Sequence, residues 1–232
     1  MDVPTLLFDR LDAWRHLPAY QLERRADVYF SLYLHEVLEA KFGIPFNPRI
    51  VPEFPFHLGT IYPDKPSNQS VKLDYLAFSD AGDKAFFVEL KTDMHSRRTK
   101  QDDYIEAAVQ AGLPALIQGV KAIFFATNAK RKYFHLLHEL EELHLLDIPD
   151  ALTKAIKNES LVGVWQHLED LRNIATELPV QIVYVQPNGS DEQTISFYEF
   201  ADVVAKHEDA FSKRFAKSLR EWGSVKAGNW SG

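Results

Sequence analysis

Two short apolar runs carry charges that such runs rarely contain. Asp74 interrupts VKLDYLAF (71–78), while Glu89 and Lys91 interrupt and close KAFFVELK (84–91). An unpaired buried carboxylate is strongly destabilising, so charges in strands of this kind need partners or a metal. Glu89 and Lys91 are two apart and leave the same face of one strand. The intervening SDAGD carries turn chemistry. If Ser79 pairs with Lys84 across it, Asp74 falls opposite Glu89, their Cβ atoms about 5 Å apart. Two carboxylates beside one ammonium suit a hard cation. Mg²⁺, with Mn²⁺ as substitute, takes one or two carboxylates together with waters and phosphate oxygens. The backbone carbonyl of Leu90 offers a further oxygen. The competing explanation is a salt-bridge cluster on a solvated sheet face, which the apolar flanks argue against.

The spacing Asp74, fourteen residues, then Glu89-Leu90-Lys91 resembles the signature of the PD-(D/E)XK, or restriction-endonuclease-like, superfamily. The resemblance covers the order of elements over 20–112 and a strand at 179–187; Leu73 stands where the family usually has proline. It implies an α/β restriction-endonuclease-like fold, with a central mixed β-sheet flanked by helices and a helical insertion before the last core strand. It also implies metal-dependent hydrolysis of nucleic-acid phosphodiesters. Asp74 and Glu89 would bind metal, and Lys91 would orient or activate water. Some branches add a metal-site glutamate from the upstream helix, for which Glu36 is the better match than Glu39. The exonuclease-like branch places a Gln and a Tyr four apart on the following helix; Gln101 and Tyr104 here are three apart.

Arg97, Arg98 and Lys100 form a basic loop entering that helix, placed to grip phosphates. His95 lies in the same loop. Lys130, Arg131 and Lys132 cluster at a later helix start and offer a second phosphate contact, or simply a solvated helix end. Glu141 and His144 have the spacing of a ligand pair in di-metal bundles, but no second copy exists and the surrounding leucines explain that helix as packing. There is no Gly-rich phosphate loop, G-x-S-x-G elbow or H-E-x-x-H.

The elements that must hold these residues follow from periodicity. Residues 20–42 read as one helix with an i, i+3, i+4 apolar stripe, ended by Gly43 and Pro45. Pro52 and Pro55 confine the next extended segment to a sheet edge. Residues 64–70 read as loop. The two charged runs look like a hairpin buried on both faces. Helical periodicity then marks 99–112, the stretches around 113–124 and 133–143, and one near 161–175. PVQIVYVQP (179–187) is a strand, TISFY a short further one, and 198–222 reads as a closing helix. Residues 1–222 thus make one domain with an insertion at about 113–178, followed by a loose tail at 223–232.

Composition bounds the function. The 46% hydrophobic content is ample for a core. The absence of cysteine removes disulfides, thiolate zinc sites and cysteine nucleophiles. No signal peptide or apolar span is evident, so a soluble, cytoplasmic protein without membrane partners is expected. A net charge of −7 argues against broad nucleic-acid affinity, but not against one local patch. The expectation is a Mg²⁺-dependent deoxyribonuclease. Its rival is an inactive module of the same fold that binds nucleic acid or protein. A homodimer or a partner subunit could supply additional grip on DNA.

Overall fold

The 71–78 and 84–91 runs form the expected hairpin because β-branched and aromatic residues fill both faces and the Ser79 N–H closes the turn on the Lys84 carbonyl, 3.0 Å away. A computed structural model describes residues 2–64, 67, 69–92, 99–157 and 164–224. In chain order it contains α1 (Val3–Trp14), α2 (Glu23–Ser31), α3 (Leu34–Phe42), β1 (Val51–His57), α4 (Leu58–Ile61), β2 (Ser70–Phe78) and β3 (Ala85–Leu90). There follow α5 (Thr99–Ala111), α6 (Leu113–Ala126), α7 (Lys130–Glu142), β4 (Leu146–Asp147), α8 (Asp150–Lys157), α9 (Val164–His167) and β5 (Arg172–Asn173). The chain continues through β6 (Val180–Gln186), β7 (Thr194–Ser196), α10 (Phe197–Val204) and α11 (Ala210–Ser224).

The protein is mixed α/β. A five-stranded sheet runs β1-β2-β3-β6-β7, antiparallel through β3 and parallel thereafter. β1, with its two prolines, is an edge, as expected where a ladder N–H is missing. Helices cover both faces. Ile105, Leu116, Ile117, Phe124 and Leu137 from α5–α7 pack with Phe56, Leu76 and Phe87 on one side. Phe8, Phe30, Leu34, Phe200 and Phe215 from the N- and C-terminal helices pack with Tyr75, Phe86 and Val183 on the other. The 113–157 block therefore contributes directly to the core over the sheet. Among the described residues no single helix is long and apolar enough to cross a membrane.

Three elements differ from their periodic reading. The 20–42 helix is two helices: the Tyr33 N–H bonds the Phe30 carbonyl in a tightened turn, and the buried Tyr33 hydroxyl meets Ser212 Oγ on α11 at 2.7 Å. Gly43, with φ 68°, ends α3 in the left-handed conformation. The closing helix likewise splits, because the Asp209 carboxylate accepts the Ser212 N–H at 2.9 Å and starts α11 anew. Among the described residues near 161–175 only the α9 turn is helical; Arg172 and Asn173 pair with Leu146 and Asp147, and the Asn173 amide donates to the Pro114 carbonyl at 2.7 Å.

The β1–β2 pair reverses its inside–outside alternation at one point. Val51, Leu76 and Phe78 share a core with Phe54, Phe56 and Leu73, although the strand period of 2 would put the two sets on opposite faces. The reversal falls where Glu53 would meet Asp74 in the register, and Glu53 has φ 52°. A side chain in the left-handed region carries about 1–2 kcal/mol of strain. Glu53→Gly should therefore be at least as stable as the parent, and Glu53→Val about 1–2 kcal/mol less stable than Glu53→Gly, or roughly 2–8 °C in Tm. Equal melting of the two variants would show that no such strain exists.

Candidate active site

In an antiparallel ladder, directly opposed residues alternate between hydrogen-bonded and open pairs. Counting from the Ser79–Lys84 bond, the Leu90 N–H should seek the Leu73 carbonyl. Instead it donates to Asp74 Oδ2 at 2.7 Å, and the β2–β3 ladder stops at Tyr75–Val88. The strands part where the register sets Asp74 against Glu89, with the aspartate carboxylate standing in for a backbone acceptor.

Glu89 is only 1% exposed. Its Oε1 accepts from Lys91 Nζ at 2.5 Å and from the Gln101 side chain at the start of α5. Its Oε2 is buried and has no hydrogen-bond partner among the described residues. Lys91, itself 4% exposed, also donates from Nζ to the Leu90 carbonyl at 3.2 Å. Its backbone N–H reaches the Val185 carbonyl at 2.8 Å, clamping the end of β3 to β6. Tyr184, opposite Glu89 on β6, anchors α5 by donating its hydroxyl to Asp102 at 2.9 Å. Sheet and helix together thus fix the glutamate.

Burial, and then the charge of Asp74, push the Glu89 carboxyl up to about 8, although Lys91 pulls the other way. Burial also raises Asp74, opposed by the Leu90 N–H and Lys91. One ammonium does not satisfy two carboxyls in so little water. An orphaned, buried Oε2 in such a pair fits a hard divalent cation. No group of three His, Cys, Asp or Glu suited to a metal occurs among the described residues. The coordination would therefore be two carboxylates completed by waters, substrate oxygens and the Leu90 carbonyl, as Mg²⁺ tolerates.

The site opens into three adjoining hollows. The first, about 180 Å³, is lined by Asp74 and Leu90 together with Glu23, Arg24, Asp27, Glu53 and Lys72. The second, about 530 Å³, shares Arg24 and Lys72 with it and adds Lys100, Gln101 and Tyr104. The third, about 380 Å³, shares Lys100 and Tyr104 and adds Tyr62 and Asp103. Sequence reasoning passed over Arg24, Lys72 and the acids of α2. Lys72 was the legible one, since it lies two residues before Asp74; the α2 residues come close only through the tertiary fold.

Gln101 and Lys100 are thus brought to the site, whereas other expected residues are not. Glu36 lies on α3, past the helix break; its carboxylate pairs with His207 Nε2 at 2.9 Å, and it lines none of the three hollows. The acids of the upstream helices that reach the cleft are Glu23 and Asp27. Lys130 is 3% exposed, and its ammonium donates to the carbonyls of Phe124, Phe125 and Thr127 at 2.6, 2.8 and 2.8 Å, so it caps α6 and does not face a ligand. Arg131 and Lys132 are exposed on α7. Glu141 accepts the Ile148 N–H at 2.9 Å, consistent with a packing helix. Arg97, Arg98 and His95 lie outside the described residues. Compared with known protein families, curated proteins and solved structures, the chain matches none.

Glu89 binds its proton more tightly folded than unfolded, its pKa rising from 4.5 to about 8. Its contribution to metal-free stability is complete below its unfolded value and is lost as pH rises toward 8. Urea melts in chelator at pH 5, 6.5 and 8 should show this decline in the parent and its loss in Glu89→Gln. Identical pH profiles would contradict the assignment. Lys130→Met should cost about 1.5–3 kcal/mol by stripping three carbonyls of their cation, without altering any nucleic-acid affinity. A stable variant with weakened binding would return Lys130 to the ligand surface.

Proposed function

We propose that the chain is a divalent-metal-dependent nuclease of the PD-(D/E)XK kind, with a restriction-endonuclease-like core, hydrolysing phosphodiester bonds of DNA. One observation carries the reading. Glu89 is buried against Asp74 at the parting of a hairpin, with Lys91 and Gln101 on one of its oxygens and, among the described residues, no donor on the other. The motif spacing, the mixed sheet with its antiparallel hairpin continued in parallel, and the basic side chains in the cleft support it.

Each residue has a role that its contacts suggest. Asp74 and Glu89 would hold the cation, which when bound stabilises charge developing on the phosphoryl oxygens. Gln101 keeps Glu89 Oε1 in place. Among the described residues Lys91 spends two of its three donors, on Glu89 and Leu90, leaving one to orient an attacking water. Arg24, Lys72 and Lys100 would meet the phosphate backbone. The second reading, an inactive binding module, gains from one feature: Glu23, Asp27 and Glu53 crowd the hollow beside Asp74 and repel a polyanion in the absence of a cation.

Cleavage decides between them. Plasmid and single-stranded DNA incubated with the pure protein should be cut with Mg²⁺ or Mn²⁺ and left intact with chelator. Lys91→Ala should lower the rate roughly 100- to 10,000-fold while retaining fold and Mn²⁺ binding. A parent that cuts nothing in either metal favours the module, and a Lys91→Ala protein as fast as the parent removes lysine from the chemistry.

A further inference from the structure

Resting on that reading, we propose that the strand this cleft accepts is single-stranded nucleic acid, drawn away from Asp74 and Glu89 along the groove and stacked on Tyr104 and Tyr62. The three hollows form a row, since neighbours share lining residues, and cations stand at the joints. Arg24 and Lys72 lie between the first and second hollows, and Lys100 between the second and third. Tyr104 lines the second and third hollows, and Tyr62 lines the third. Tyr62 and Tyr104 meet edge-on with centroids 5.9 Å apart. The Lys100 ammonium rests 5.8 Å from the Tyr104 centroid, so a ring face is within reach of a group entering from the groove.

Cations spaced along a groove, with aromatic rings between and beyond them, suit a chain that presents phosphates at intervals and bases with open faces. A duplex offers the phosphates but keeps its base faces stacked inside, so the tyrosines gain nothing from it. Lys100 is exposed and flexible enough to pass from the ring to a phosphate as a base takes its place. The acids around the first hollow leave the grip to the second and third, where Lys100 and the tyrosines are.

The test is fluorescence anisotropy in chelator, with a labelled twelve-nucleotide oligothymidylate and a labelled duplex of the same length, followed by cleavage of both in Mg²⁺. The single strand should bind at least tenfold more tightly. Tyr104→Leu should weaken its binding about 5- to 150-fold and leave duplex binding unchanged. Lys100→Ala, on an exposed side chain that folding does not require, should reduce the salt slope for the single strand by about 0.7. It keeps the inference testable should Tyr104→Leu fail to fold. Equal or tighter duplex binding, no binding of the single strand, or a Lys100→Ala slope unchanged from the parent overturns the inference. Cleavage separates it from the nuclease reading. A duplex cut as fast as the single strand sinks the inference alone, while tyrosine-dependent single-strand binding without cleavage upholds it and sinks the nuclease.

Discussion

Two carboxyls share one ammonium in the interior of the sheet, and much of the local architecture follows from that imbalance. Asp74 leaves the regular ladder to take the Leu90 N–H, Lys91 folds back on Glu89, and Gln101 is recruited from the next helix. Even so, Glu89 Oε2 remains without a partner among the described residues. Replacing a buried ionic cluster of this kind by apolar residues is often neutral or stabilising. Its presence at the end of β3, a strand buried along its whole length, therefore points to a use beyond stability.

The surrounding elements hold the imbalance in place. β3 is buried along its whole length, its end is fixed to β6 by the Lys91 N–H, and Tyr184 pins the first turn of α5 through Asp102. Strain is concentrated on the other side, where Glu53 reverses the alternation of β1 against β2. That reversal lets Leu73 join the core while Lys72 turns to the cleft. The two helical layers meet different needs: α5–α8 close the face on which Glu89 and Gln101 meet, and the terminal helices lock to each other through Arg214 and Trp222 on Asp12.

The sequence was most informative where local rules dominate. Turn chemistry at SDAGD set the hairpin register, and with it Asp74 against Glu89. The period of 2 put Lys91 beside Glu89, whereas Gln101 was a candidate only through the resemblance, whose exonuclease-like branch carries a Gln on the following helix. Tertiary contacts governed the rest. Glu36 looked like the helical acid because 20–42 reads as one continuous stripe; the helix breaks at Tyr33, whose hydroxyl meets Ser212, and the acids that line the cleft are Glu23 and Asp27. Lys130 looked like surface charge because composition cannot distinguish a lysine facing solvent from one folded onto three carbonyls. Arg24 and Lys72 are separated by nearly fifty residues and become neighbours only when α2 packs beside the parted hairpin.

The central claim is that Asp74 and Glu89 form a cation site from which bound metal displaces a proton. Calorimetric titration of Mn²⁺ at pH 7, repeated in buffers of different ionisation enthalpy, measures that proton directly. With Glu89 pushed up to about 8, the account predicts release of close to one proton per Mn²⁺ bound, and little release from Glu89→Gln, whose affinity should also fall. Absence of Mn²⁺ binding, or binding and proton release unchanged in Glu89→Gln, would contradict it.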